Sequence, residues 1–269
     1  MSDGRRLAPF GRRRLEVTAS ARIGAYRLLR VADPDGPVPD PGQFCMLAAV
    51  ERWGGGEDDR PFLPRAFSVL RARDGELAFL LEDVGPGTAR LAELRAGDGL
   101  WVTGPLGVGW SPPAAGRRPV LCGGGVGIPP LAIWQDALRG AGVAHVALVG
   151  FRGAAHAEAA TLLDGPRVAT DDGSAGHAGP VTDLLAAELE AGAPAVVYAC
   201  GPPGMLEAVR ALCAARETPA QLALESPMAC GYGACFGCVV AVRDGGYVRV
   251  CVDGPVLDAA RLAPGAIGA

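Results

Sequence analysis

Four cysteines, Cys230, Cys235, Cys238 and Cys251, stand in the pattern C-x4-C-x2-C-x12-C within ACGYGACFGCVVAVRDGGYVRVC. Four thiolates that open with C-x4-C-x2-C are the ligand set of a plant-type [2Fe–2S] cluster. Tetrahedral thiolate sites hold either zinc or iron–sulfur. Structural zinc sites usually pair their cysteines as two short knuckles, often C-x2-C twice. Here three cysteines crowd one loop and the fourth stands apart. That loop carries Gly231, Gly233 and Gly237, and glycine permits the close backbone approach and positive φ angles that wrapping a compact anionic cluster demands. The spacing favours the cluster and leaves zinc as the alternative.

The other cysteines read differently. Cys45, Cys122 and Cys213 lie in apolar runs and are expected to be small buried hydrophobes. Disulfides are not expected. Residues 1–15 hold Arg5, Arg6, Arg12, Arg13 and Arg14 but no apolar h-region and no small-residue cleavage site, which points to a cytoplasmic chain with reduced thiols. These arginines read as a solvated, partly ordered tail, with docking to an acidic partner as the alternative.

Two glycine-rich turns can hold phosphate. In LCGGGVGIPPL (121–131) a strand ends and a helix begins, so that Gly123, Gly124, Gly125 and Gly127 let an anion approach the N–H groups of a helix N-terminus. Pro129 suits the helix start, where its missing N–H is not needed. A plain βα turn is the alternative. In YACGPPGM (198–205) Cys200, Gly201 and Pro202 form a second strand-to-helix turn. Ligands of open parallel sheets lie beyond the carboxyl ends of the strands, so Cys200 is expected where a nicotinamide can reach, or else as a buried thiol. Earlier, RAFS (65–68) offers Arg65 for a phosphate, Phe67 for ring packing and Ser68 for a flavin ring edge. Gly87 and Thr88 in GPGT offer backbone N–H groups to a second phosphate. An amphipathic strand is the alternative for RAFS.

The elements that must position these residues change character along the chain. Alternating segments from RLEVTA to GLWVTGPLG, with one short helix at 87–94, predict a closed antiparallel β-barrel. After the linker SPPAAGRR (111–118), strands and helices alternate from RPVLC to a final strand PAQLALE, which predicts a parallel sheet covered by helices. The expected units are a β-barrel over 12–110, an α/β domain over 117–224 and a cluster module over 225–257. Apolar content of 49% and a net charge of −4 in 269 residues fit a globular protein with a substantial core. They argue against a nucleic-acid binder, and no apolar run approaches the ~18 residues of a membrane span.

Taken together, R-x-[aromatic]-S, GPLG (104–107), GGGVGIPP and ACGPPGM resemble the ferredoxin–NAD(P) reductase superfamily. ESPMACGYGACFGCVV…YVRVCVDGPV, TDDGSAGHAGPVTDLL (170–185) and LVGFR (148–152) narrow the resemblance to the electron-transfer subunits of NAD-dependent dihydroorotate dehydrogenase, over roughly residues 12–257. That resemblance implies FAD in the barrel, NAD on the sheet and a role in pyrimidine biosynthesis. It also implies a separate FMN-containing catalytic subunit joined in a heterotetramer. On matching positions, Arg65, Ala66, Phe67 and Ser68 would bind FAD with Leu80, Leu81 and Glu82, and Gly87 and Thr88 would sit at its pyrophosphate. The four loop cysteines would hold the cluster. Ala66 stands where this subfamily often has proline, Phe67 lacks the hydroxyl of the wider superfamily's tyrosine, and Pro227 replaces a polar residue.

A nicotinamide moves two electrons as hydride and a cluster moves one, so a flavin must stand between them. The chain shows no evident site for dihydroorotate, which places the substrate chemistry in the partner. The segment GYGACFG is then expected at the partner interface. A reductase subunit of a hydrogenase or ferredoxin-transhydrogenase complex is the rival reading, and a zinc-stapled binding module a more distant one. Arg152 can favour a 2′-phosphate, whereas the resemblance favours NAD.

Overall fold

The structure, a computed structural model, describes residues 12–55 and 60–268. The first half contains β1 (Arg12–Ile23), β2 (Tyr26–Ala32), β3 (Phe44–Ala49), β4 (Arg65–Ser68), β5 (Arg71–Arg73), β6 (Glu76–Glu82), α1 (Pro86–Ala92) and β7 (Gly99–Leu106). The strands form an antiparallel sheet in the order β4-β3-β7-β1-β2-β6-β5. Its two end strands are one bent segment. Val69 N–H donates to Gln43 O (3.1 Å) on the β3 side, and Leu70 N–H donates to Ala78 O (2.9 Å) on β6. The sheet therefore closes on itself, which removes the free edges a flat sheet would expose.

Side chains alternate across a strand. Leu77, Phe79 and Leu81 of β6 join Val17, Leu29, Val31, Leu47 and Val102 in the barrel interior, while Leu80 and Glu82 face the opposite way and line a cavity. The first strand starts at Arg12, where the barrel is expected to begin, so three of the arginines read as a tail belong to the barrel. Arg12, Arg13 and Arg14 belong to β1, paired with Trp101 to Thr103 of β7. Arg13 donates to both carboxylate oxygens of Asp33 (2.6–3.1 Å), whose side chain is 4% exposed. A buried acid needs a charged partner, and Arg13 supplies it. Arg5 and Arg6 lie outside the described residues.

The second half runs β8 (Arg118–Gly124), α2 (Pro129–Gly140), β9 (Val146–Phe151), α3 (Ala154–Ala157), β10 (Arg167–Thr170), β11 (His177–Ala178), α4 (Val181–Glu190), β12 (Ala195–Cys200), α5 (Pro203–Ala215) and β13 (Ala220–Ala223). The thiol loop follows, then the hairpin β14 (Val239–Ala241) and β15 (Tyr247–Arg249), α6 (Val250–Asp253) and β16 (Val256–Asp258). The sheet order is β11-β10-β9-β8-β12-β13-β16, parallel except for β16 against β13.

Two expectations change. The strand at 220–223 is not the last of the sheet, because Val256 and Leu257, 7% and 3% exposed, return beyond the cluster segment to cover its edge. Where the strand–helix alternation predicts a helix after β9, in AEAATLL (157–163), the chain forms one α-turn at 154–157 followed by 3₁₀ turns at 158–162. This segment docks on the first barrel hairpin, where Ala25 N–H donates to Ala155 O (3.0 Å). Gly24 (φ +55°) permits the approach, since a Cβ there would lie 1.9 Å from that carbonyl.

The cluster segment packs against both halves. Cys238, Val240, Val250 and Cys251 share one buried core with Phe44, Met46 and Leu106 of the barrel and with Leu222 and Leu257 of the sheet. Among the described residues no helix is long and apolar enough to cross a membrane.

Candidate functional site: two adjoining cavities and a thiol loop

The larger cavity, about 510 Å³, lies beyond the carboxyl ends of β8, β9 and β12. Gly124, Gly125 and Gly127 form one wall and Gly201 and Pro202 another. The strand β8 carries on through Gly124, a single 3₁₀ turn covers 125–127, and α2 starts at Pro129. The two turns touch: a Cβ on Gly127 would stand 2.6 Å from Cys200 O and from Gly201 Cα. Their glycines therefore make the surface of the cavity out of backbone, beside the helix starts at Pro129 and Pro203, as an anionic ligand requires.

Gly123 does not line this cavity. It is buried under α2, where a Cβ would crowd Leu131 and Ile128 at 3.0 and 3.2 Å. Cys200 is 3% exposed and packs in the core beneath the turn. Burial, and after it the Glu225 charge, push its thiol pKa well up. The cavity wall is Gly201, and the thiol stands behind it. Cys45, Cys122 and Cys213 are buried as expected, each at 1% exposure or less, and burial pushes each thiol up to about 12.

The smaller cavity, about 340 Å³, lies on the barrel. Arg65, Ala66, Phe67 and Ser68 of β4, Leu80 and Glu82 of β6, and Thr88 of α1 all line it. Arg65 is held along its edge by Nη1 donating to Leu63 O (2.6 Å), with its guanidinium 5.9 Å from the Trp53 ring. Leu81 faces the barrel core instead. Gly87 is buried beneath Arg65, whose Nε would lie 2.5 Å from a Cβ there. The Thr88 hydroxyl brackets the turn before α1: it accepts from Val84 and Gly85 N–H and donates to Gly85 O, all within 3.0 Å. Residues 56–59 of the loop between β3 and β4 lie outside the described residues.

Glu82, Val126 and Glu225 line both cavities. A group bound in one therefore meets a group bound in the other at this junction. Glu225 opens onto both spaces and keeps contact with water there, yet the surrounding walls desolvate it enough to hold its carboxyl above the usual range. Glu82 also pairs with Arg152 Nη2 (2.6 Å) and, more loosely, with His156 Nε2 (3.4 Å). Arg152 is thus engaged by a carboxylate from the barrel.

The loop thiols stand in pairs, Cys230 with Cys235 at 3.4 Å and Cys238 with Cys251 at 3.2 Å. Two thiolates on one tetrahedral metal with bonds of about 2.3 Å lie about 3.8 Å apart. Each pair stands slightly closer than that, so a small separation of its sulfurs would let it share one metal. No group of three or more His, Cys, Asp or Glu converges on a single ion among the described residues. Two donors for each of two metals is the arrangement of a binuclear cluster. Positive φ angles at Gly231, Gly233 and Phe236 curl the loop, and Gly237 N–H and Cys251 N–H point at Cys235 and Cys238 sulfurs (3.5 and 3.4 Å). Burial opposes ionisation of Cys230, but backbone hydrogen bonds from Tyr232, Cys235 and Ala234 bring it down to about 7. Burial and then the hydrogen bond shared with Cys238 push Cys251 up to about 12.

A family model described as the iron–sulfur cluster binding domain of dihydroorotate dehydrogenase B matches residues 225–263. The dihydroorotate dehydrogenase B (NAD(+)) electron transfer subunit of Geobacillus thermodenitrificans is 37% identical over 264 residues, spanning 94% of this chain and 99% of that protein. The corresponding subunit of Bacillus caldolyticus is 38% identical over 266 residues, again 94% and 99%. The chain belongs to the family of dihydroorotate dehydrogenase B electron transfer subunits. Solved structures support the same fold. An NADH-dependent reduced ferredoxin–NADP oxidoreductase superposes with a TM-score of 0.77 at 24% identity, over 95% of this chain and 92% of that one. Phthalate dioxygenase reductase gives 0.60 at 19% identity, over 90% and 94%. Tyr26, Phe44, Val126, His156, Asp171 and Glu225 are lining residues that motif reading did not find. They come from separate segments and share no local pattern.

Proposed function

We propose that this chain carries electrons from the FMN of a separate catalytic subunit through a [2Fe–2S] cluster and FAD to NAD+. The observation that carries the reading is the junction at Glu82, Val126 and Glu225, where a barrel cavity and a glycine-turn cavity adjoin. Bound there, FAD accepts electrons singly or in pairs and NAD+ takes them as hydride, while the cluster supplies them one at a time. In this reading Arg65, Ala66, Phe67, Ser68, Leu80, Glu82 and Thr88 hold FAD. Gly124, Gly125, Gly127, Gly201 and Pro202 hold NAD, and the four loop cysteines hold the cluster. The protein's contribution to hydride transfer is to set the two ligands against each other and keep water out.

The face around the thiol loop supports a protein partner. Cys235 is exposed, and Phe236, Tyr247 and Val239 are exposed at 61%, 73% and 37%. Arg249 lies 5.1 Å over the Phe236 ring and holds it outward. Aromatic side chains of this kind are enriched in interface cores. The partner is an FMN-containing dihydroorotate dehydrogenase subunit, and the complex a heterotetramer with oxidoreductase activity. Co-expression with such a subunit, followed by an assay of dihydroorotate-dependent NAD+ reduction, tests the reading. A folded, brown complex that fails to reduce NAD+ would overturn it in favour of a hydrogenase or transhydrogenase partner.

A further inference from the structure

The barrel's first hairpin reaches into the larger cavity with one side chain the known fold does not explain. Tyr26 opens β2 and is 2% exposed. It lines the cavity together with the glycine turn. Its hydroxyl has no hydrogen-bond partner in the protein. Leaving a buried hydroxyl unpaired costs free energy that a phenylalanine of the same shape would avoid. A hydroxyl kept in that state calls for a partner that the protein itself does not supply.

Its surroundings say what the partner is. The hydroxyl stands 3.7 Å from the position that a Cβ of Gly125 would take, so it faces the backbone of the turn where the phosphates are expected. The ring is fixed from two sides. Tyr26 is the cross-strand partner of Glu82 in the β2–β6 ladder, and the His156 ring meets it edge-on at 5.6 Å. Burial, then the Glu82 charge, push the phenol's pKa up, so the group stays protonated and acts as a donor. Glu82 is already engaged by Arg152 and His156. A neutral donor facing a glycine turn suits an oxygen of the ligand's diphosphate or of the ribose attached to it.

We propose that Tyr26 is a dinucleotide-binding residue, whose phenol donates a hydrogen bond to the diphosphate–ribose stretch of NAD lying over Gly124–Gly127. The inference rests on the dinucleotide reading of the larger cavity. It adds a contact from the barrel, so that the bound dinucleotide is gripped from both halves of the molecule at once.

The test is Tyr26→Phe in the purified holoprotein, with NAD+ and ADP-ribose as probes. Binding of both is measured by calorimetry, and melting is followed with and without each. The expected result is about 3- to 10-fold weaker binding of both probes. Without probe, melting should be unchanged or higher, because an orphaned hydroxyl has been removed. With NADH and an artificial acceptor, KM should rise more than kcat falls. Flavin and cluster absorbance should match wild type. Equal affinity in Tyr26→Phe and wild type would overturn the assignment. So would a loss seen with NAD+ but not ADP-ribose, which would move the contact to the nicotinamide end. So would a lower melting temperature without probe together with unchanged probe-induced stabilisation, which would make the hydroxyl structural. Wild-type protein that binds neither probe would overturn the cavity reading itself, an outcome distinct from failure of Tyr26 alone.

Discussion

Between Cys230 and Cys251 the chemistry is vested in side chains: four thiols, paired at 3.2–3.4 Å, three of them on an irregular loop and Cys251 on the short helix α6. Across the larger cavity it is vested in backbone, where glycines of two turns come together so closely that a single Cβ on Gly127 would collide with Cys200 O. A thiolate ligand is lost when its sulfur is lost, whatever the fold does. A backbone cradle is lost when something is added. The two regions should therefore fail in opposite ways, the first by deletion with the fold intact and the second by addition with the fold strained.

Deletion has the largest expected effect. Cys235 is the exposed member of its pair, so Cys235→Ala should leave the fold in place while removing the cluster's visible absorbance. Dihydroorotate-driven NAD+ reduction by the complex should fall to background, and NADH oxidation by an artificial flavin acceptor should continue. An intact cluster spectrum in that variant would break the ligand assignment. Addition comes next. Gly127→Ala places a methyl 2.6 Å from the backbone of Cys200 and Gly201, which a side-chain rotation cannot relieve. Overpacking of this kind costs about 2–3 kcal/mol, and chemical denaturation should show it together with weakened NAD+ binding. Iron content should stay at the wild-type level, and a matching loss of iron would show that the two regions are not separable.

A third substitution keeps the element and changes only the setting. Cys122 is a thiol like Cys235, but it is fully buried in the sheet core. Cys122→Ala should cost about 1 kcal/mol through the small void it leaves, with iron and flavin contents unchanged. A loss of cluster absorbance would contradict the division between packing thiols and ligand thiols.

The same division explains how much was legible beforehand. The four cysteines and the turn glycines lie in short motifs, so residue type and spacing bring them to notice, although Gly123 is buried under α2 and does not line the cavity. The βα alternation also survived translation into structure, because buried parallel strands leave continuous apolar runs. What stayed hidden was made by long-range closure. Tyr26, His156 and Glu225 come from three segments and meet Glu82 only because β2 pairs with β6 and α3 docks on the first hairpin. Arg12–Arg14 read both as the end of a tail and as the start of the barrel, because three charges in a row blur the alternation of β1, and Arg13 is intelligible only once Asp33 is seen buried beside it. The return of β16 is a three-residue strand, too short to announce itself. Leu81 was assigned to the flavin cavity with its neighbours, but a strand turns alternate residues to opposite faces, and Leu81 belongs to the barrel's inner one.

The smallest effect bears on where the two cavities adjoin. Burial holds the Glu225 carboxyl above its ordinary range in the folded protein, against about 4.3 in an unfolded chain. The folded state therefore binds this proton more tightly than the unfolded state does. At a pH below both values the group is neutral in either state and imposes no penalty. As pH rises past the unfolded value toward the folded one, the unfolded chain releases its proton first, and stability is lost. Above both values the folded protein carries a partly desolvated carboxylate. Glu225→Gln removes that ionisation and keeps the shape. Its melting temperature should exceed wild type near pH 8 and converge with it near about pH 3, well below the ordinary Glu value of about 4.3. An equal difference at both pH values would assign the effect to packing, and would mean that the junction does not desolvate its carboxylate.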